Sequence, residues 1–436
     1  MAQNKKGGLK KSTDTKYKPS IYKNLINRIG PGFITGAADD DPSGIATYSQ
    51  TGAQFGYGQL WLALFSFPFM SAIQEMCGRI GTVTGNGLSS VIRKYYSRKI
   101  LVLAVSLLLI ANIINIGADL GAMASATQLV LGLPFTFWLF TLTIFTLVME
   151  IFVSYPKYAK FLKYLTFSLF AYVFTAFVVK QNWAKIAWST FYPNISMNEN
   201  YLLNILAILG TTISPYLFFW QADEEVEEEI VKKEIKEIGK GKPKINGSEL
   251  KSMRLDTIIG MFFSNLVMFF IIITTATTLG AYGITNIETA SQAAEALRPL
   301  AGDFTFILFS LGILGTGLLA VPILAGSASY AFAEAIGWKS GLYRKFKDAH
   351  GFYGVIALAT VVGLIVNYLN IPPFKMLYYT AVINGIVAPP LLILILLISN
   401  NKKIMGQYTN GPISNFLGIT ITIIMTAAAI ALLFFN

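Results

Sequence analysis

Residues 30–57 read GPGFITGAADDDPSGIATYSQTGAQFGY, an apolar stretch of membrane-spanning length in which three consecutive aspartates, Asp39, Asp40 and Asp41, run into Pro42. Proline removes a backbone hydrogen bond and clashes with the preceding turn. Ser43 and Gly44 follow it, so a helix entering this stretch is expected to stop at the aspartates and restart beyond them. Residues 206–225, LAILGTTISPYLFFWQADEE, repeat the arrangement: Gly210, Thr211, Thr212, Ser214 and Pro215 interrupt an apolar run about halfway across. Backbone freed at membrane depth is tolerated only where it lines a cavity or is buried in protein. Two matched interruptions therefore mark the place on which the rest of the chain converges.

That the chain is a membrane protein follows from its composition. Of its 436 residues 54% are hydrophobic and 13% charged, more apolar surface than a soluble fold of this size buries. Stretches near the roughly 20 residues that cross a bilayer recur at 30–56, 58–78, 100–130, 135–153, 161–180, 201–222, 255–281, 303–334, 352–370, 376–398 and 413–435. These make eleven spans, and the first is read as a span rather than a cleaved signal. Lys and Arg resist translocation. With the amino terminus in the cytoplasm, only Lys180, Lys185, Arg298 and Lys375 of the 34 basic residues fall in outer loops. The net charge of +11 thus reflects topology and calls for no nucleic-acid partner. The lone Cys77 excludes an intramolecular disulfide and a Cys-based metal cage.

The interrupted spans are the first and the sixth, so each opens a set of five. Five is odd, and the second set enters from the opposite side of the membrane, the inverted repeat of many secondary transporters, whose discontinuous helices meet at a midplane site. The expected fold is an all-α integral membrane protein with a 5+5 inverted repeat. Residues 1–29 form a basic cytoplasmic tail, 30–398 the ten-helix core, and 399–436 an inner loop and an eleventh helix that leaves the carboxyl terminus outside.

In this arrangement the first half of span 1 ends near residues 38–40 and that of span 6 near 211–213. Each points a carbonyl-rich, partly negative end at its break. No Lys or Arg lies near either break, and acidic groups at such depth cost several kcal/mol unless they serve an ion path or a partner. Two negative helix ends and Asp41 meeting in one place predict a cation site.

Other charged and small residues read more plainly. The six acids within 223–229 suggest a solvated charged helix, supported by the pairs Glu228 with Lys232 and Glu229 with Lys233; the sharper reading is an inner vestibule that concentrates divalent cations. Glu75 and Glu334 are expected near cytoplasmic helix ends, in structural or gating hydrogen bonds. The small residues of 312–331, GILGTGLLAVPILAGSASYA, suit close helix packing. His350, the only histidine, is expected to be solvated in an inner loop. No phosphate-binding loop, no nucleophile with a base and no zinc signature occurs, so an enzyme is excluded and no cofactor is expected.

The stretch GPGFITGAADDDPSGIATYSQTGAQFGYGQLW and the later SNNKKIMGQYTN resemble the NRAMP family of divalent-metal transporters over about residues 25–435. The resemblance implies a LeuT-type fold and uptake of manganese or iron with protons, the ion held by an Asp-Pro-Gly-Asn motif and by a Met side chain and a backbone carbonyl of a Met-Pro-His motif. Asp41 and Pro42 match the first motif, while Ser43 stands for its Gly and Gly44 for its coordinating Asn. Pro215 matches the second, with Ser214 for Met, Tyr216 for His and Thr211 at the carbonyl position. The resemblance thus points to Asp41, Gly44, Thr211 and Ser214 as ion-facing positions, and Asp40, beside Asp41 in the aspartate run, is counted with them.

The departures carry chemistry. A thioether favours transition metals, and its loss removes that preference; losing two side chains leaves room for water, and Mg²⁺ keeps several waters while touching one or two carboxylates. Tyr216 and Gln221 replace the family's two histidines of the sixth span, and Asn115 and Ala118 stand at its proton-accepting carboxylates, with Asp119 displaced by one position. These features resemble the NRAMP-related magnesium transporters, which implies plasma-membrane uptake of a partly hydrated Mg²⁺, with Mn²⁺ also carried, and no proton coupling. A proton-coupled Mn²⁺/Fe²⁺ symporter and an amino-acid transporter of the same fold are the other readings. The acids at the break oppose an amino-acid carboxylate, which prefers positive helix ends.

Overall fold

A computed structural model describes residues 30–153, 167–196, 198–241, 243, 245, 247–432 and 434. The expected tail at 1–29 and the opening of the fifth span lie outside the described residues. The first span is two helices, α1 (Pro31–Asp39) and α2 (Pro42–Phe55), followed by α3 (Trp61–Thr84), the short α4 (Leu88–Tyr95), α5 (Arg98–Leu131) and α6 (Phe135–Phe152). The fifth span is described only as α7 (Phe170–Val178), and α8 (Trp183–Phe191) lies in the connection after it. The sixth is again two helices, α9 (Glu199–Thr212) and α10 (Pro215–Val231). Then come α11 (Gly247–Thr278), α12 (Thr305–Ile336), α13 (His350–Val366), α14 (Pro373–Ser399) and α15 (Pro412–Leu432). All eleven spans of the sequence reading have a counterpart. Eight helical runs among the described residues are long and apolar enough to cross a membrane by length and composition. The split first span, the more polar α3 and the described part of the fifth complete the set.

Local chemistry accounts for the helix ends at the breaks. Asp41 is the N-cap of α2, its side chain accepting from Gly44 N, and Pro42 follows at the first helical position, where the missing N–H costs nothing. Pro215 opens α10 in the same way. The amino end of α1 is capped from a distance: Asp256 of α11 accepts from Gly30 N at 3.0 Å and Phe33 N at 3.1 Å.

The packing repeats with a shift of five spans. α1 and α2 lie along α11, as α10 lies along α3, while α5 and α12, the third members of the two sets, pack against each other. Glycines set the closest approaches. A Cβ at Gly36 would stand 2.3 Å from the Gly260 carbonyl carbon, and one at Gly81 would stand 2.1 Å from the Ala222 carbonyl oxygen, the same device at both symmetry-related contacts. Within 312–331 the small residues pack as expected: a Cβ on Gly317 would meet Met123 at 2.5 Å and one on Gly326 would meet Trp220 at 2.8 Å.

The acidic end of α10 departs from the sequence reading. Asp223, Glu225 and Glu229 are buried, because this end of α10 is packed against α3, α4 and α12 instead of facing solvent on all sides. The Glu228–Lys232 pair forms at 3.6 Å. No ion pair joins Glu229 to Lys233 among the described residues, since the helix ends at Val231 and Lys233 turns to a φ of 64°. Glu75 is structural, bound by Arg79 at 3.1 Å and Arg254 at 2.9 Å. His350 is exposed at the start of α13, with its ring against Phe346.

Candidate metal-ion site

The carboxylate of Asp41 sits in the gap between the two halves of the first span and is 1% exposed. Its Oδ1 accepts from Ser43 Oγ at 2.6 Å and Gly44 N at 2.8 Å, and its Oδ2 accepts from Asn115 Nδ2 of α5 at 3.0 Å. Three donors fix the carboxylate and still leave lone pairs free. Ser43 Oγ lies 3.3 Å from Thr211 Oγ1, so a short polar chain joins Asp41 to the last turn of α9. No basic side chain forms an ion pair with Asp39, Asp40, Asp41 or Asp119 among the described residues. The Asp41 carboxylate is therefore met by hydrogen bonds rather than by an ion pair.

On the α9 side, the Ser214 hydroxyl makes no N-terminal cap. It turns back to the carbonyl oxygens of Thr211, at 2.6 Å, and Gly210, at 2.9 Å, which α9 leaves without intrahelical partners. The Tyr216 hydroxyl donates to Ala38 O at 3.0 Å, so the first turn of α10 is tied to the last turn of α1. The two breaks thus face each other across a few ångströms of oxygen atoms: a carboxylate, hydroxyls and helix-terminal carbonyls, all hard donors.

Of the five expected ion-facing positions, Asp41, Gly44 and Thr211 come together, and Ser214 touches the Thr211 carbonyl. Asp40 is turned aside, its Oδ1 lying 3.3 Å from Ser264 Oγ of α11, while Asp39 Oδ2 lies 2.5 Å from the same hydroxyl. The space at Gly44 differs from expectation. A Cβ there would meet Asp39 O at 3.2 Å, the Tyr48 ring at 3.3 Å and Thr211 Oγ1 at 3.4 Å, so protein atoms already line it closely on three sides. A cavity of about 840 Å³ lies instead at the far end of α2, lined by Gln54, Tyr57, Lys185, Trp188 and Thr277 among others. The Lys185 ammonium stands 5.8 Å from the centre of the Tyr57 ring there, which makes that cavity a poor gathering place for cations.

Sequence reasoning passed over two contributors. Asn115 was weighed only as a group unable to take a proton, and Ser264 not at all. Two amides, Asn112 and Asn115, in an otherwise apolar stretch are the available signal for Asn115; nothing local distinguishes Ser264. Asp119, one turn after Asn115, is fully buried and, among the described residues, has no hydrogen-bond partner on either carboxylate oxygen. Among the described residues no three His, Cys, Asp or Glu side chains gather into a metal cage.

A family model described as natural resistance-associated macrophage protein-like matches residues 32–435. Among curated relatives, the divalent metal cation transporter MntH of Caldanaerobacter subterraneus subsp. tengcongensis is 25% identical over 408 residues, covering 92% of this chain and 90% of its own length. That of Clostridium acetobutylicum is 25% identical over 430 residues, covering 94% and 91%. Among solved structures, the Eremococcus coleocola manganese transporter superposes with a TM-score of 0.72 at 17% identity, covering 94% of this chain and 87% of that one. Mhp1, a nucleobase-cation-symport-1 family transporter, superposes at 0.58 and 13% identity, covering 94% and 90%. These likenesses show the fold, the LeuT-type architecture of paired broken helices.

Proposed function

The chain belongs to the NRAMP family, and from that premise we propose that it is a multi-pass membrane transporter of divalent metal cations that takes up Mg²⁺, and also Mn²⁺, as partly hydrated ions. The observation that carries this reading is the Asp41 carboxylate, held between two helix breaks by the Ser43 hydroxyl, the Gly44 N–H and the Asn115 amide. Among the described residues the hydrogen-bond partners of Asp41 include no thioether and no imidazole, so these contacts do not favour a soft metal over Mg²⁺. The proposed ion-facing positions are Asp41, as the direct ligand, Gly44, Thr211 and Ser214, with Asp40, turned toward Ser264, as a flanking charge. The proposed orientation places the amino terminus in the cytoplasm of a plasma-membrane protein, the 30–398 core carrying transport.

Uptake without protons is the finer part of the proposal. Tyr216 is occupied with Ala38 O and Asn115 with Asp41, and neither titrates near neutral pH. A second reading, proton-coupled Mn²⁺ symport, draws on the manganese transporter among the similar structures and on the buried, unpartnered Asp119. Competition between Mg²⁺ and Mn²⁺ for binding to the purified protein separates the two. Comparable weak affinities are the result expected here, and Mn²⁺ bound thousands of times more tightly would favour the second.

A further inference from the structure

The transport site leaves the acidic inner half of α10 unused. Asp223 is fully buried, and among the described residues no hydrogen-bond donor reaches either of its carboxylate oxygens. The group that faces it is another carboxyl, that of Glu334 on α12. Both converge on Gly87, the residue before α4: a Cβ there would lie 2.0 Å from Asp223 Oδ1 and 2.6 Å from each Glu334 oxygen. Glu334 accepts from Ser90 N at 2.9 Å. The Ser89 hydroxyl, in the same turn of α4, is buried without a partner.

The surrounding charge deepens the need for a cation. Glu224 and Glu227 on α10 add to the negative potential at Asp223, and Arg93 is the basic group that acts on Glu334. Glu227 is already committed to the Tyr330 hydroxyl and Leu342 N. Two carboxylates brought face to face cannot both stay ionised unless a cation lies between them; otherwise one of them keeps a proton. Mg²⁺ suits such a place, because it binds through one or two carboxylates and fills its remaining positions with water.

We propose that a second divalent cation, a hard hydrated ion of the Mg²⁺ class, binds between Asp223 and Glu334 beside the first turn of α4. The ion bridges α10, the inner half of the broken sixth span, to the continuous α12, and so ties the two helices together. On the transport reading, on which this consequence rests, ion that has accumulated inside holds α10 in place and slows further uptake.

The test counts Mn²⁺ bound to the full-length protein in detergent by electron paramagnetic resonance, with Mg²⁺ as competitor. Wild type is expected to bind two ions, Asp41→Asn one, the double variant Asp223→Asn/Glu334→Gln one, and the triple variant none. Two ions retained by the double variant would overturn the proposal and leave a carboxyl pair sharing a proton. One ion in wild type that is lost in Asp41→Asn would overturn it equally. Two ions in Asp41→Asn with one in the double variant would instead uphold this site and refute the assignment of Asp41. Should the double variant fail to fold, Glu334→Gln alone is expected to weaken one of the two sites, and unchanged binding would count against the proposal. In liposomes loaded with Mg²⁺, wild-type influx is expected to fall as internal Mg²⁺ rises and that of the double variant to hold steady; equal inhibition of both would remove the regulatory role.

Discussion

Asp41 holds its position through Ser43, Gly44 and Asn115, and each partner has a separate expected effect. Asp41→Ala removes the proposed ligand, and liposome flux of Mg²⁺ and Mn²⁺ is expected to vanish together; wild-type flux would dismiss the site. Asn115→Ala removes one hydrogen bond to a charged group, worth about 1.5–3 kcal/mol, so metal affinity is expected to weaken by roughly tenfold or more with the fold intact, as read by titration calorimetry. Ser214→Met adds a thioether beside the Thr211 carbonyl and is expected to raise the Mn²⁺ to Mg²⁺ flux ratio. Gly44→Asn combined with it is expected to move the ratio further, provided Tyr48 and Thr211 yield to the new Cβ they would touch. An unchanged ratio in well-folded variants would mean that selectivity is set away from the break. Asp41 was legible in the sequence because an acid before a proline is a local signal. The orientation of Asp40 toward Ser264, and the crowding at Gly44, were not, because both depend on α11 and on a ring one turn along α2, which no local pattern specifies.

At the scale of helices, the two breaks and the glycine contacts form one device: broken spans require close neighbours to bury the freed backbone, and Gly36 and Gly81 let α11 and α10 approach to backbone contact. Gly36→Val is therefore expected to destabilise the protein by about 1–3 kcal/mol or more, seen as a lower unfolding temperature in detergent. Gly411→Val, where a Cβ meets nothing within 4 Å, is expected to leave it unchanged. Equal effects would mean that the α1–α11 contact is looser than described. The helix ends were readable from proline and N-cap chemistry, and α1 and α9 stop at Asp39 and Thr212, within the expected windows. The acidic run was misread for a physical reason. Six acids in seven residues suggest solvent, but charge composition carries no information about which helices pack on that face, and α3, α4 and α12 do so here.

For the molecule as a whole, the lengths of the apolar stretches and two prolines sufficed to anticipate eleven spans and an inverted repeat, because a bilayer permits few alternatives for an apolar chain. What no local pattern specifies is the surroundings of Asp119, a buried acid one turn from Asn115, on which the proposal of uptake without protons turns. If the proposed uncoupled uptake holds, the rate responds to membrane potential only through the charge of the ion, and Asp119→Asn transports Mg²⁺ at a rate close to wild type; a loss of flux in that variant would implicate Asp119 as a relay. The most direct measurement records Mg²⁺ influx and internal pH together in liposomes carrying wild type or Asp41→Ala. The account predicts Mg²⁺ entry through wild type with no acidification beyond that of empty liposomes, and no entry through the variant. Exclusion of Mg²⁺ while Mn²⁺ enters with stoichiometric acidification would contradict it.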